Sequence, residues 1–109
     1  YTSSATLGPT TTAYSTTNES SGTNYTAGGE TISSVTVTKS TSTTYVDFAD
    51  VSWSSATISD AAGALIYNSS ASNKAIAVID FGATKSVTSG TLTVTLPANS
   101  ASAAIIRLS

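Results

Sequence analysis

Hydroxyl and aliphatic side chains alternate along much of this chain, and this alternation limits its fold more than any other feature does. The clearest stretch is Thr91–Leu96, in which three threonines alternate with two leucines and a valine. Val35 and Val37 alternate with threonines in the same way. A period of two residues places one kind of side chain on each face of a β-strand. Ser and Thr supply 42 of the 109 residues, so we expect a strand-rich chain with a hydroxyl-covered surface.

The sequence divides into about eight short strands at roughly 8–12-residue intervals, without helical periodicity, which is typical of a sandwich or barrel. The predicted strands span residues 32–38, 45–48, 51–53, 56–58, 64–67, 75–81, 91–96 and 104–108. A bulge is expected at Ser33-Ser34, because Ile32 is out of phase with Val35. The predicted fold class is all-β, with a single antiparallel β-sandwich that is either Ig-like or jelly-roll-like.

Some strands carry more specific expectations. Ala75–Phe81 is apolar on both faces, which predicts a central strand that is covered on both sides. Ser89-Gly90 predicts a turn before the strand at 91–96, and Pro97 ends that strand. Residues 98–104 could form one helical turn.

The domain organisation follows from a change of composition near Gly28-Gly29. Residues 1–29 are the least hydrophobic part of the chain and are rich in turn-forming residues, so we predict a loop-rich N-terminal segment. That segment is either part of the same domain or a contact arm, with Leu7, Tyr14 and Tyr25 available to anchor it. Residues 30–109 are predicted to form the β-sandwich core. Because residue 1 is Tyr rather than Met, we expect a fragment, a processed product or a chain lacking its beginning.

The composition excludes several classes of function. The chain has no His, Cys or Met, so it lacks the usual general base, the usual nucleophilic thiol and the commonest soft metal ligands. The four basic residues are scattered, so no nucleic-acid-binding stripe is expected, and no apolar stretch is long enough for a bilayer. Charged residues make up only 9% of the chain. Either partners cover much of the surface, or the hydroxyl groups keep it solvated.

The carboxylates are the side chains of this sequence best suited to chemistry. Asp80-Phe81-Gly82 matches the magnesium-binding tripeptide of protein kinases, but the other kinase motifs are absent, so we predict a turn capped by Asp80. Asp47 and Asp50 could offer oxygens to Ca²⁺, yet two carboxylates do not fill the roughly 6–8 ligands that Ca²⁺ takes. Glu19 and Glu30 are isolated in the sequence. We therefore predict no catalytic, cofactor-binding or metal-binding residue.

Two other patterns receive structural interpretations. Asn-X-Ser/Thr triplets begin at Asn18, Asn24 and Asn68, and such triplets arise by chance in a chain this rich in Ser and Thr. Aromatic side chains that could line a sugar-binding face are Tyr45, Trp53 and Tyr67. Single aromatic residues on strands more often pack in or around a core.

An ordered set of segments carries a family resemblance. These segments are Asn18–Gly29, Val51–Trp53, Ala62–Asn68, Ala77–Gly82, Ser89–Leu96 and Ala104–Leu108. Their order and spacing resemble a family of small virion structural proteins of tailed bacteriophages over nearly the whole chain. Members of that family usually carry a further N-terminal segment before the position that corresponds to Tyr1.

The resemblance implies a non-enzymatic structural protein on the outer surface of the virion, most simply a capsid decoration or cement protein. Its implied partners are the major capsid protein and copies of itself, without a cofactor, nucleic acid or membrane. Two alternatives remain open: a neck, tail or fibre component, and a bacterial surface adhesin or pilus-type module. A glycan-cleaving enzyme that depends on Asp47, Asp50 and Asp80 is the weakest reading.

Overall fold

The computed structural model describes residues 1–108, and within them the fold is all-β, as predicted. Six strands alternate with turns, and one short 3₁₀ turn covers Ser69–Ala71. The strands are β1 (Gly22–Thr23), β2 (Thr36–Ser40), β3 (Thr43–Asp47), β4 (Val51–Asn68), β5 (Lys74–Val94) and β6 (Ile106–Leu108). No helix in this part of the chain is long and apolar enough to cross a membrane.

The strands form two three-stranded sheets, one in the order β1-β4-β5 and one in the order β2-β3-β6. The chain also separates into two compact units. We call the first the hairpin unit, formed by Tyr1–Gly29 and Trp53–Leu92. The second, formed by Glu30–Ser52 and the chain from Thr93 onward, is the three-strand unit.

Two of the six strands are far longer than the sequence pattern predicts. The predicted strands at 51–53, 56–58 and 64–67 join into β4, which has 18 residues. The strand predicted at 75–81 and most of the one predicted at 91–96 join into β5, which has 21 residues and ends at Val94. Residues with positive φ interrupt the alternation inside both strands: Ser55 (49°), Asp60 (55°), Gly82 (71°) and Ser89 (48°). Such kinks shift the side-chain phase without ending the strand, so the pattern resembled several short strands.

A tight connection joins β4 to β5. Asn68 accepts a hydrogen bond through its side chain from the Ser70 backbone nitrogen at 3.0 Å and so caps the 3₁₀ turn. Ser72 and Asn73 follow with φ of 56° and 57° in the left-handed region, which Asn tolerates better than most residues. These local preferences reverse the chain without a long loop.

The prediction that 75–81 forms a central, covered strand is wrong. In the sheet order, β5 lies at the end of its sheet, next to β4, and on its other side only its first residues pair with a short stretch around Ala13. Its first half alternates between exposed and half-buried residues, and Ile76 and Val78 stay 48% and 38% exposed. An apolar run indicates that both faces of a strand could be buried. It does not show whether other parts of the chain pack against those faces.

The core of the hairpin unit is small and tightly closed. Ala56, Ile58 and Ala61 are 0%, 2% and 4% exposed, and they form its buried cluster. The partly buried side chains that pack against this cluster are Tyr25, Trp53, Phe81, Val87 and Leu92. Strand β1 covers the edge of β4, with Gly22 opposite Ile58. A side chain at Gly22 would overlap the Thr57 carbonyl, so glycine is required there.

The three-strand unit has a regular register but few buried side chains. Val37 lies opposite Val46, which in turn lies opposite Ile106, so one face of the sheet is aliphatic. Phe48 and Ala104 are its buried hydrophobic residues, at 9% and 4% exposure.

The ends of its strands match the sequence pattern in part. Strand β2 begins at Thr36 rather than at Ile32. Ser34, in the predicted bulge, has a φ of 53° just before the strand. Residues 91–96 alternate between exposed threonines and half-buried aliphatic side chains, as predicted. The Ala104 nitrogen donates to the Ser100 carbonyl at 3.0 Å, so the single helical turn is also confirmed.

Candidate functional site

The most connected polar side chain in the hairpin unit is Glu19. Its Oε1 accepts hydrogen bonds from the Tyr25 hydroxyl and from the Gly28 nitrogen, both at 2.7 Å. Its Oε2 accepts one from the Tyr14 hydroxyl at 2.7 Å. Charge-assisted hydrogen bonds to a carboxylate are shorter and stronger than neutral ones. Glu19 therefore ties together three points of the loop-rich segment 1–29.

The tyrosines around Glu19 also make ring contacts with the long hairpin. Tyr14 stacks on Tyr67 of β4 with ring centroids 4.8 Å apart and planes 16° from parallel. Tyr25 packs against Trp53 of β4 at 5.7 Å and a 40° tilt. The Tyr67 hydroxyl donates to the Gly28 carbonyl at 2.9 Å. The carboxylate and the rings together hold the segment against the hairpin, since each ring buries apolar area and each of the three tyrosines directs its hydroxyl to a fixed acceptor.

Tyr1 adds a second attachment of the same segment. Its backbone nitrogen donates to the Gly63 carbonyl at 2.8 Å, and its carbonyl accepts from the Ala62 nitrogen at 2.8 Å. Its hydroxyl donates to the Ser15 carbonyl at 2.5 Å. The residue is therefore held through both backbone and side chain.

The environment of Glu19 changes the acidity of its tyrosine partners. The hydrogen bond to Glu19, followed by burial, raises the pKa of Tyr14 to about 12. Burial, followed by the hydrogen bond to Glu19, raises the pKa of Tyr25 above its ordinary value. Burial disfavours the charged phenolate in both residues, and a phenolate would also lose its donated hydrogen bond and repel the carboxylate beside it.

Two buried polar atoms near these elements lack a hydrogen-bond partner in the described part of the chain. They are the Ser20 hydroxyl, in the residue after Glu19, and the Trp53 indole nitrogen. Ser20 is only 5% exposed. Hydrogen bonding around Glu19 is therefore incomplete at these two atoms. Each unpaired atom destabilises the fold, because burial of a polar group without a partner costs free energy.

Three aspartates also act as acceptors for neighbouring groups. Asp80 accepts from the Gly82 nitrogen at 2.8 Å, and Gly82 has a φ of 71°, so the local contact and the positive φ are as predicted, but β5 continues through them as a kinked strand and does not turn. Asp50 accepts from the Leu96 nitrogen at 2.8 Å, and Asp60 accepts from the Ser3 hydroxyl at 3.1 Å. Within residues 1–108, no three Asp or Glu side chains gather in a group that could hold a metal ion.

The structure also places the other residues that the sequence singled out. Each of the three asparagines makes a hydrogen bond between its side chain and the backbone: Asn18 to Ser4, Asn24 to Ser55, and Asn68 with Ser70. Trp53 and Tyr67 pack against other aromatic rings, as predicted. Tyr45 and Asp47 lie on β3, opposite Thr38 and Thr36 of β2.

Sequence reasoning missed Glu19 by treating it as isolated. A signal was present, because Tyr14 and Tyr25 flank the only carboxylate of residues 1–29 at distances of five and six residues. Spacing alone could not reveal that the loop folds back so that both hydroxyls meet one carboxylate. Both of its oxygens accept hydrogen bonds from groups of the chain itself, so Glu19 fixes the loop in place.

Comparison with known proteins adds no relative, since no family model, curated protein or solved structure matches the chain.

Proposed function

We propose that this chain is a non-enzymatic structural protein of a tailed-bacteriophage particle, and that it decorates and stabilises the outer surface of the head. The observation that carries the non-enzymatic part is the use of the carboxylates. Four of the six, namely Glu19, Asp50, Asp60 and Asp80, accept hydrogen bonds from groups of the chain itself. A chain without His or Cys has few other groups for acid–base or nucleophilic chemistry.

The place on the virus particle rests on the resemblance of the ordered segments to small phage virion proteins. Physical reasoning supports it. A protein that binds only the expanded capsid lattice stabilises that lattice by mass action and needs no reactive group. It needs a rigid scaffold, and a charge content of 9% suits a surface that neighbours cover. The packing of both sheets into one sandwich, Ig-like or jelly-roll-like, belongs to this proposal too.

Copy number on purified particles tests the proposal. We expect quantitative mass spectrometry of virions that encode this chain to find hundreds of copies, because a decoration protein occupies symmetric sites over the whole shell. About a dozen copies would instead assign the chain to the neck or tail. Absence from the particle would overturn the proposal and favour a surface adhesin.

Binding to empty heads gives a second, direct measurement. The purified chain should bind expanded heads that lack it and raise their melting temperature, whereas unexpanded heads serve as the control. Equal binding to both forms, or binding without stabilisation, would argue against a cement role.

The N-terminal segment can be examined as a contact element only by point substitution. Tyr25 packs against the buried core and Tyr14 stacks on β4, so deletion of residues 1–29 would damage the fold itself. The exposed residues Thr16 and Thr17 are suitable sites. Thr16→Arg with Thr17→Arg should reduce capsid occupancy without a change in circular dichroism, and Ser40→Arg on β2 is the control.

A further inference from the structure

One face of the first half of β5 carries four exposed side chains with opposite charges at the two ends. In chain order they are Lys74, Ile76, Val78 and Asp80, each exposed, while the residues between them are half-buried. Ile76 and Val78 are 48% and 38% exposed, which is high for aliphatic side chains at the middle of a row. We call these four residues the β5 row.

A recess lies beside the apolar middle of the β5 row. The lining residues of this open groove, which has a volume of about 470 Å³, are Gly8, Pro9, Thr11 and Ala75–Val78. The turn that forms its rim is fixed by a hydrogen bond from the Thr11 nitrogen to the Gly8 carbonyl at 3.0 Å. The row therefore has a shaped apolar neighbourhood rather than two isolated side chains.

We propose that the β5 row is the docking surface for a second copy of this chain, related to the first by a two-fold axis near Ala77. In a two-fold interface, if residue i meets residue j of the partner, then j also meets the partner's i. Reversal of the row places Lys74 against the partner's Asp80 and Ile76 against the partner's Val78. The order basic, apolar, apolar, acidic is thus complementary to itself.

Strand geometry shows that Lys74 and Asp80 can pair only between two chains. Residues 74 and 80 are six positions apart on an extended strand, roughly 20 Å at about 3.3 Å per residue. Lys74 therefore cannot reach Asp80 of its own chain. Only a second copy, running in the opposite direction, brings the opposite charges together at both ends at once.

The contact uses the face of the strand rather than its edge. Residues 12–14 already pair with the start of β5, through Ala75 to Thr12 and Tyr14 to Asn73 backbone hydrogen bonds of 2.9 Å each. Addition of another strand along this part of the edge is therefore obstructed. Side chains that project from the sheet remain accessible, so the row meets its partner through side-chain packing.

This inference rests on the proposed function and deepens it, since the resemblance to phage virion proteins implies copies of the chain as partners. The interface is small, so the free chain should associate weakly. A capsid lattice would raise the effective concentration of neighbouring copies and make a weak contact sufficient. The tests below use the purified chain without capsids, so their failure would leave capsid binding to be judged by its own experiments.

A charge-swap series tests the proposed pairing. Sedimentation velocity should detect a monomer–dimer equilibrium in the wild-type chain below roughly 1 mM. Lys74→Asp and Asp80→Lys each create like-charge contacts at both ends of a symmetric dimer, so each should weaken the dimer at least about tenfold. The double variant Lys74→Asp/Asp80→Lys restores opposite charges at both ends and should dimerise within about threefold of the wild type.

Mixing the two single variants gives the sharpest result. One variant then has only acidic ends in its row and the other only basic ends, so the mixture should form heterodimers while each variant alone stays monomeric. Native mass spectrometry distinguishes these species because the two chains differ in mass. If the double variant dimerises, a disturbed backbone around residue 80 cannot explain the weaker dimer of Asp80→Lys, because the double variant carries the same change.

Matched controls separate the row from general surface effects. Lys85→Asp makes the same charge change at an exposed position of the same strand, outside the row, and should leave dimerisation unchanged. Ile76→Thr with Val78→Thr should weaken the dimer. Val37→Thr removes a more exposed valine, at 69%, from β2 and should not. A wild-type chain that stays monomeric below roughly 1 mM, or a dimer that is insensitive to the swaps, would overturn the proposal.

Discussion

The hairpin unit and the three-strand unit bury different kinds of side chain, although both are built from antiparallel strands. In the hairpin unit, small and aliphatic residues such as Ala56 and Ile58 are almost completely enclosed, and Glu19 organises the loops around them. In the three-strand unit the sheet register is regular, yet Val37 and Leu108 remain 69% and 71% exposed. Regular strand pairing and a closed core are therefore separate properties of this chain.

The difference indicates where stability resides. Burial of apolar surface contributes roughly 25 cal/mol per Å², so an enclosed side chain stabilises the fold far more than an exposed one in an equally regular strand. The Glu19 carboxylate, which we call the carboxylate hub, also contributes to stability, because the groups that donate hydrogen bonds to it would otherwise be buried without partners. We expect the hairpin unit to resist local opening more strongly than the three-strand unit.

The largest expected effect comes from the centre of the buried cluster. Ile58→Ala should lower the free energy of unfolding by about 2–5 kcal/mol, because it leaves a cavity at a residue that is 2% exposed. Val37→Ala, in the three-strand unit, should cost less than about 1 kcal/mol. Urea denaturation monitored by circular dichroism measures both. Equal losses for the two variants would remove the contrast between the units.

A smaller effect is expected at the carboxylate hub. Glu19→Ala leaves the Tyr14 and Tyr25 hydroxyls and the Gly28 nitrogen without their acceptor, and should cost about 1–3 kcal/mol. Glu30→Ala, at an exposed position of the three-strand unit, should change stability by less than about 0.5 kcal/mol.

Near-ultraviolet circular dichroism provides an independent reading of the hub. The signal of Trp53 should change in the Glu19 variant, because its neighbour Tyr25 loses its fixed position. If Glu19→Ala unfolds at the wild-type urea concentration and keeps the wild-type spectrum, the hub has no stabilising role.

The smallest expected effect is on the pH dependence of stability. The tyrosines bound to Glu19 should change the free energy of unfolding only when the solution becomes alkaline. The pKa of Tyr14 is raised from 10.0 to about 12 in the folded state, so the unfolded chain loses this proton first. Stability from this group is complete below pH 10.0 and is lost as the pH rises through about 12. The raised pKa of Tyr25 acts in the same direction.

Urea denaturation at stepped alkaline pH, together with tyrosinate absorbance, measures this loss. The double variant Tyr14→Phe/Tyr25→Phe is the control, and its stability should depend less on alkaline pH than that of the wild type. The interpretation fails if the urea concentration at the unfolding midpoint of the wild type does not decrease as the pH is raised from about 9 to about 12.

Local sequence patterns predicted a substantial part of the fold. The alternation at 91–96 follows from the two-residue period of a strand. The kink at Asp80–Gly82 follows from the preference of Asp for a nearby backbone nitrogen and of Gly for positive φ. The helical turn at Ser100–Ala104 was also within reach of short-range reasoning. Each depends on residues that are close in sequence.

The strand count and the candidate site could not be read in this way. Kinks at Ser55 and Gly82 change the side-chain phase, and only pairing with a neighbouring strand shows that β4 and β5 continue through them. The Glu19 site requires Tyr67, which lies 39 residues beyond Gly28, to close the arrangement. Such contacts depend on how the loop folds back, and the local pattern does not encode this.

The sequence by itself therefore determined an all-β chain without His or Cys, because side-chain periodicity and composition are local and additive properties. The tertiary structure decided which apolar residues are enclosed and which stay exposed. Ile58 and Ile76 belong to similar strand patterns, yet they are 2% and 48% exposed. The physical reason is that burial depends on the second layer that packs against a strand, and distant parts of the chain supply that layer.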